Sequence, residues 1–125
     1  MEEDEVHQTK AQECLAGAQV AFDNGRYNNA ANRAYYACFH AAVVALIRAG
    51  TRRDEWSHEE VPALFSGVLV GRRHLYPREL RGALESLRQL RLDADYGLGL
   101  LSRTRVERQI RQAIYFCREV LGDGR

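Results

Sequence analysis

The fold is decided by residues 26–50, which read RYNNAANRAYYACFHAAVVALIRAG. Between residues 30 and 47 the strongly polar side chains are those of Asn32, Arg33 and His40. A helix that is apolar on nearly every side belongs in the middle of a bundle, because a surface helix turns a polar face toward water. The stretch therefore predicts a central helix without a polar outer face, surrounded by other helices.

Two stripes of this predicted helix differ sharply in character. The first is a row of small residues along which a neighbouring helix can approach closely; it comprises Ala30, Ala34, Ala37 and Ala41. The second is polar and aromatic, and comprises Asn29, Arg33, Tyr36 and His40. Because residues seven apart are about two helical turns apart, Arg33 and His40 point the same way with Tyr36 between them.

Four further helices are predicted from apolar residues at helical spacing. They cover residues 6–23, a segment from residue 57 or 58 to about 70, residues 77 to about 91, and residues 104 to about 121. Ser57 and Thr104 are each followed three residues later by a glutamate, as in a capping box. Residues 92–99, LDADYGLG, are predicted as a loop because of their two glycines. No segment has a strand pattern, so we predict an all-α, antiparallel up-and-down bundle of about five helices.

Composition narrows the class of protein. A chain of 125 residues has the length of one domain, residues 1–125, and 46% hydrophobic residues are enough for a packed core. Three cysteines without a CxxC pair predict reduced core thiols rather than disulfides or a zinc site. Arg48 ends the longest apolar run, and the acidic start MEEDE is unlike a secretory signal. We therefore expect a cytoplasmic protein that does not bind a membrane.

The net charge of +1 conceals an asymmetry along the chain. Residues 1–70 carry 6 basic and 10 acidic groups, whereas residues 71–125 carry 12 basic and 7 acidic groups. A basic second half permits nucleic-acid binding without requiring it.

Two segments carry a resemblance to a known family. Residues 25–42, GRYNNAANRAYYACFHAA, resemble the core signature of HEPN-domain proteins, in particular a small stand-alone bacterial and archaeal subfamily. Residues 91–96, RLDADY, resemble the second signature of that subfamily. The resemblance implies a helical bundle that is usually dimeric. It also implies a gene often placed beside a minimal nucleotidyltransferase in a toxin–antitoxin pair.

Many HEPN proteins are metal-independent ribonucleases whose motif is an arginine, four to six residues, and a histidine. The resemblance assigns these catalytic positions to Arg33 and His40, which are separated by six residues. Asn32 supplies a polar neighbour, although it precedes the arginine whereas the family places such a residue after it, where this chain has Ala34. Histidine can act as base or acid near neutral pH, and arginine can stabilise the phosphate. No metal or cofactor is expected.

Further expectations concern six other residues. Asp95 is predicted to orient His40 or to pair with Arg33, or alternatively to brace the last helix. Tyr96 is predicted to hydrogen-bond or to stack on a base, and Tyr36 to support the site or to pack in an interface. His58 is interpreted as a helix-start residue. His7 and His74 are interpreted as solvated surface residues.

Three functions remain open from the sequence. The first is a homodimeric ribonuclease toxin that cuts single-stranded RNA. The second is a non-catalytic adaptor that binds a minimal nucleotidyltransferase and helps it to bind nucleotide or nucleic acid, and the third is a plain dimerisation module. All three include a homodimer, because a small bundle is not expected to cover every side of the central helix.

Overall fold

The computed structural model describes residues 1–122 as a bundle of helices with no strand in that range. The α-helices are α1 (Glu3–Asp23), α2 (Tyr27–Arg48), α3 (Glu60–Leu64), α4 (Ala83–Tyr96) and α5 (Arg103–Leu121). A π-helical segment, Phe65–Arg72, continues α3, and a 3₁₀ turn, Arg78–Leu80, precedes α4. The predicted all-α bundle of five helices is confirmed.

Helix α1 lies antiparallel to α2. The turn between them closes on Gly25, whose φ of 74° is a left-handed conformation that suits glycine. Contacts along the two helices run in opposite directions: Arg48 pairs with Asp4 near the start of α1, whereas Arg33 reaches Cys14 further along it.

Helix α2 is the centre of the bundle, with α1, α4 and α5 packed around it. Thirteen of its residues are buried, and the predicted small-residue row, Ala30, Ala34, Ala37 and Ala41, is fully buried. No buried residue of the described chain is polar or charged. One prediction was wrong: α2 does have an outer face, formed by the stripe that contains Arg33 and His40. Its apolar sides are covered within one chain, so they do not by themselves require a dimer.

The third helix begins close to its predicted start and then departs from α-helical geometry. The Ser57 hydroxyl accepts the Glu60 backbone N–H at 2.9 Å, as predicted for a cap. From Phe65 onward the backbone widens, and the Arg73 N–H donates to the Val68 carbonyl five residues earlier. Phe65 is fully buried and packs against Phe116 of α5, with ring centroids 5.0 Å apart.

The fourth helix is shifted toward the C-terminus relative to its prediction. Its last turn includes residues 92–96, so the loop predicted there begins only at Gly97. Two contacts four residues apart support this turn: Gln89 donates to Asp93 at 2.9 Å, and Arg91 pairs with Asp95 at 3.0 Å.

The fifth helix begins slightly earlier than predicted. Ser102, rather than Thr104, caps it by accepting the Arg105 N–H at 3.2 Å. Glu107 does not complete a capping box, because its carboxylate pairs with Arg103 and Arg111 instead.

The loop between α4 and α5 is tied at its base by one side chain of α2. The Asn28 amide donates to the Ala94 carbonyl and accepts the Leu101 N–H, each at 3.2 Å. Between these two points Leu98 and Leu100 are almost completely exposed.

Two properties of the described chain concern its environment. None of its helices combines the length and the apolar character that crossing a membrane requires. Cys14, Cys38 and Cys117 are free and buried, in agreement with the predicted reduced thiols.

Candidate functional site

The candidate site is the open stripe of α2, which we define as Asn29, Asn32, Arg33, Tyr36 and His40. These side chains are half-buried or exposed, whereas the residues around them on α2 are mostly buried. Side chains of α1 and α4 contact the stripe from its two sides. The side chains of this stripe are therefore the part of α2 that a ligand can reach.

Arg33 lies on the surface of the bundle, where its side chain contacts three others. Its guanidinium donates to the Asn32 side-chain oxygen at 3.0 and 2.6 Å, and to the Cys14 sulfur at 3.7 Å. Its central carbon lies 5.2 Å from the centre of the Tyr36 ring, within the range of a cation–π contact. Asn32 thus orients the arginine even though it precedes it in the sequence.

Asp95 contacts neither of the side chains predicted as its partners in the site, His40 and Arg33. Its carboxylate accepts the Asn32 amide at 3.2 Å and lies 3.0 Å from Arg91 Nε in an ion pair. Asn32 therefore connects Asp95 to Arg33, and no direct ion pair or hydrogen bond joins Asp95 to Arg33 or to His40 within residues 1–122. The carboxylate supports the arginine end of the stripe and not the histidine.

Arg91 is the first residue of the segment 91–96, and no role was predicted for it from the sequence. Its guanidinium carbon lies 5.5 Å from the Tyr36 ring centre and 5.9 Å from that of Tyr96. Tyr36 is therefore approached by the guanidinium groups of both Arg33 and Arg91. The sequence did contain a sign of this position: Arg91 and Asp95 are four residues apart, the spacing at which side chains of opposite charge pair on a helix.

Tyr96 is 73% exposed at the end of α4. Its ring contacts the guanidinium of Arg91, and because most of the side chain is exposed, the ring is open to a planar partner. Its predicted role in stacking on a base stays a prediction.

His40 is half-buried at the other end of the stripe. Its Nδ1 lies 3.0 Å from Nδ1 of His7, within hydrogen-bond distance, and the two ring centres are 5.2 Å apart. Burial is the main reason that the pKa of His40 is lowered to about 4. Positive charge on His7, Lys10, Arg33 and His58 lowers it further. The imidazole is therefore neutral at pH 7 and can accept a proton.

His7 was wrongly interpreted as a solvated surface residue. Burial lowers its pKa, Lys10 lowers it further, and Glu3 acts in the opposite direction. The signal for its position was its spacing: His7, Ala11, Cys14 and Ala18 follow one another at intervals of four, three and four on the inner face of α1.

His58 does more than begin a helix. Its Nδ1 lies 2.8 Å from the hydroxyl of the fully buried Tyr35, and its ring centre is 4.7 Å from that of Phe39. His74, by contrast, is exposed as expected.

Arginines of α4 extend the positive charge beside the stripe. Arg88 pairs with Glu59 at 3.4 Å and with Glu85 at 3.8 Å. Nε of Arg88 and Nε of Arg91 are buried without a hydrogen bond, although the latter is within ion-pair distance of Asp95. Within residues 1–122, no three His, Cys, Asp or Glu side chains are grouped closely enough to hold a metal ion.

Comparison with models of protein families identifies the family of this chain. The sequence model of the HEPN domain matches residues 5–123, nearly the whole chain. The chain belongs to the HEPN domain family. No curated protein matches it. The match establishes the family and agrees with the all-α fold of the chain.

Proposed function

We propose that this HEPN domain is a metal-independent endoribonuclease that cuts single-stranded RNA as a homodimer in the cytoplasm. We further propose that it is the toxin of a module whose partner is a minimal nucleotidyltransferase. The supporting observation is that Arg33 and His40 share the open stripe of α2, about two helical turns apart, where burial keeps the His40 imidazole neutral. A cation for the phosphate and a neutral base thus stand on one accessible surface.

The proposed reaction uses these two side chains in separate roles. The neutral His40 imidazole accepts the hydrogen of a ribose 2′-hydroxyl, and the 2′-oxygen attacks the adjacent phosphorus. The bond from phosphorus to the 5′-oxygen breaks, which leaves a 2′,3′-cyclic phosphate and a 5′-hydroxyl. The Arg33 guanidinium donates to the phosphate oxygens, where negative charge accumulates.

The homodimer provides the second imidazole of the reaction. The leaving 5′-oxygen needs a proton, and each chain contributes one His40. The negative phosphate raises the pKa of an imidazole beside it, so a second copy of the site can carry that proton when RNA is bound.

The test is cleavage of an end-labelled single-stranded RNA in EDTA by wild type and by His40→Ala. We expect the wild type to yield cyclic-phosphate ends and the variant to lose about 10²- to 10⁴-fold in rate. His74→Asn is the matched control, since His74 is exposed and asparagine tolerates its φ of 52°. Circular dichroism establishes equal helicity. Loss of cleavage in EDTA, or equal cleavage by His40→Ala, would refute the mechanism, and a mass of one subunit by light scattering would refute the dimer.

A second candidate is a non-catalytic adaptor for the nucleotidyltransferase. It is favoured by the internal pairing of the stripe, where Arg33 donates hydrogen bonds to Asn32 and Arg91 forms an ion pair with Asp95. Co-expression with a nucleotidyltransferase encoded beside this gene tests it. A stable complex without RNA cleavage favours the adaptor, whereas cleavage by the free HEPN domain favours the ribonuclease.

A further inference from the structure

The inference concerns the hydrogen bond between His7 and His40, which joins the Nδ1 atoms of both rings at 3.0 Å. Such a bond needs a hydrogen on one Nδ1 and a lone pair on the other. The pKa values of both rings are lowered, so both are neutral at pH 7 and each carries one hydrogen. Two arrangements follow: either His7 donates to His40, or His40 donates to His7.

Groups on the far side of His7 distinguish the two arrangements. Its other ring nitrogen, Nε2, lies 4.0 Å from Oε1 of Glu3. This is longer than a direct hydrogen bond, but the carboxylate still favours a hydrogen on that nitrogen over a lone pair facing it. The Trp56 indole N–H donates to the same Glu3 oxygen at 2.9 Å and holds the carboxylate in place.

The hydrogen positions then follow one from another. A neutral His7 with its hydrogen on Nε2 has a lone pair on Nδ1, so it accepts from His40 Nδ1–H. His40 is then left with a lone pair on Nε2. Among residues 1–122 that nitrogen has no hydrogen-bond partner, and it is not one of the buried unpaired polar atoms.

We propose that His7 is a positioning residue that, with Glu3 and Trp56 behind it, holds His40 in the tautomer with hydrogen on Nδ1 and a free lone pair on Nε2. This rests on the proposed ribonuclease function, for which that lone pair is the base. The opposite tautomer would present an N–H to the substrate, and that group could donate to a phosphate but could not remove a hydrogen.

Nitrogen-15 NMR of the full chain tests the tautomer without reference to activity. The chain has four histidines, so single variants assign every ring. At about pH 7, where a neutral imidazole is expected, we expect His40 to show a protonated Nδ1 and an unprotonated Nε2. In His7→Leu, which cannot accept the hydrogen, the His40 signals should move toward the other tautomer. His7→Gln keeps an accepting oxygen and should largely restore the wild-type signals, and His74→Asn should leave them unchanged.

Kinetics on single-stranded RNA complete the test. We expect His7→Leu to lower kcat at least about tenfold with little change in KM, because an imidazole in the wrong tautomer cannot act as the base. Gln at position 7 should recover most of that loss. The proposal is overturned if wild-type His40 carries its hydrogen on Nε2, if His7→Leu leaves the tautomer unchanged, or if the tautomer changes without an effect on cleavage. If the tautomer behaves as expected but the wild type cuts no RNA, the function fails while the positioning of His40 by His7 stands.

Discussion

The two ends of the open stripe on α2 differ in charge: Arg33 is a cation with polar partners, whereas His40 is neutral. At Arg33 the charged guanidinium donates hydrogen bonds to the Asn32 side-chain oxygen, and the Asn32 amide in turn donates to the Asp95 carboxylate. At His40 the charge is absent, because burial keeps the ring neutral and its partner is another neutral ring. Only about two helical turns separate these environments. The comparison shows how one helix can present a cation and a base side by side without the cation pairing with the base.

After the loss of His40 itself, the largest effect should come from removing the charge at the first end. We expect Arg33→Ala to slow RNA cleavage by about 10²- to 10³-fold, because the guanidinium that donates to the phosphate in the proposed reaction is lost. Arg33→Lys should recover only a small part of that rate, since lysine keeps the charge but lacks the planar fork. Cleavage assays in EDTA measure both variants. Wild-type rates in Arg33→Lys would show that charge alone is sufficient at this end.

Acid should destabilise the neutral end. The folded-state pKa values of His40, His7 and His58 are lowered, whereas each returns to about 6.5 in the unfolded chain. The unfolded chain therefore binds more protons below about pH 6.5, so the free energy of unfolding falls as the pH drops from there toward 4. The charged groups around this cluster are Glu3 and Lys10 of α1, Arg33 of α2, Glu59 before α3, and Arg88 and Arg91 of α4.

Urea unfolding at about pH 7 and about pH 5, on either side of the ordinary histidine pKa, measures this dependence. His40→Gln should reduce the difference between the two conditions. Asp95→Asn should leave it nearly unchanged, because Asp95 contacts Asn32 and Arg91 rather than the histidine cluster. Equal stability of the wild type at both pH values would contradict the expected destabilisation of the histidine cluster by acid.

A smaller effect distinguishes the adjacent tyrosines on α2. Tyr35→Phe removes the hydroxyl bonded to His58, and we expect it to lower the free energy of unfolding by about 1–2 kcal/mol, since a half-buried ring nitrogen loses its partner. Tyr36→Phe is the matched control, because the Tyr36 hydroxyl makes no hydrogen bond within residues 1–122. Its change should stay below about 0.5 kcal/mol. Urea unfolding measures both variants, and equal losses of stability would contradict a contribution from the hydrogen bond between Tyr35 and His58.

The smallest effect should be at Asp95. Asp95→Asn keeps the shape but removes the charge that faces Arg91, and the side chain is partly exposed, so the loss should be about 0.2–1 kcal/mol. It should shrink further in high salt, which screens exposed charges. A loss that does not respond to salt would mean that the hydrogen bond with Asn32, rather than the charge, is what matters.

The sequence predicted the parts of this molecule that depend on apolar spacing along one helix. That the polar stripe of α2 faces outward was not predicted, but the buried alanine row and the position of Arg33 and His40 on one stripe follow from a period of 3.6 residues. The partner of His40 did not, because His7 meets it only once α1 has folded back along α2. Asp95 was assigned the wrong partners for a related reason: with residues 92–96 in α4, its side chain is set by the last turn of that helix. Local pattern indicates which face a residue is on, whereas its neighbours depend on tertiary packing.

The amide of Asn28 has a practical consequence for handling the protein. It bonds the carbonyl of Ala94 and the N–H of Leu101, so it closes the α4–α5 connection at its base. Leu98 and Leu100, between these two points, are almost completely exposed, and neither glycine beside Leu98 has a positive φ. A short epitope or a cysteine for a fluorescent label inserted at Leu98 would therefore be carried outside the bundle, with the attachment points of α4 and α5 unchanged.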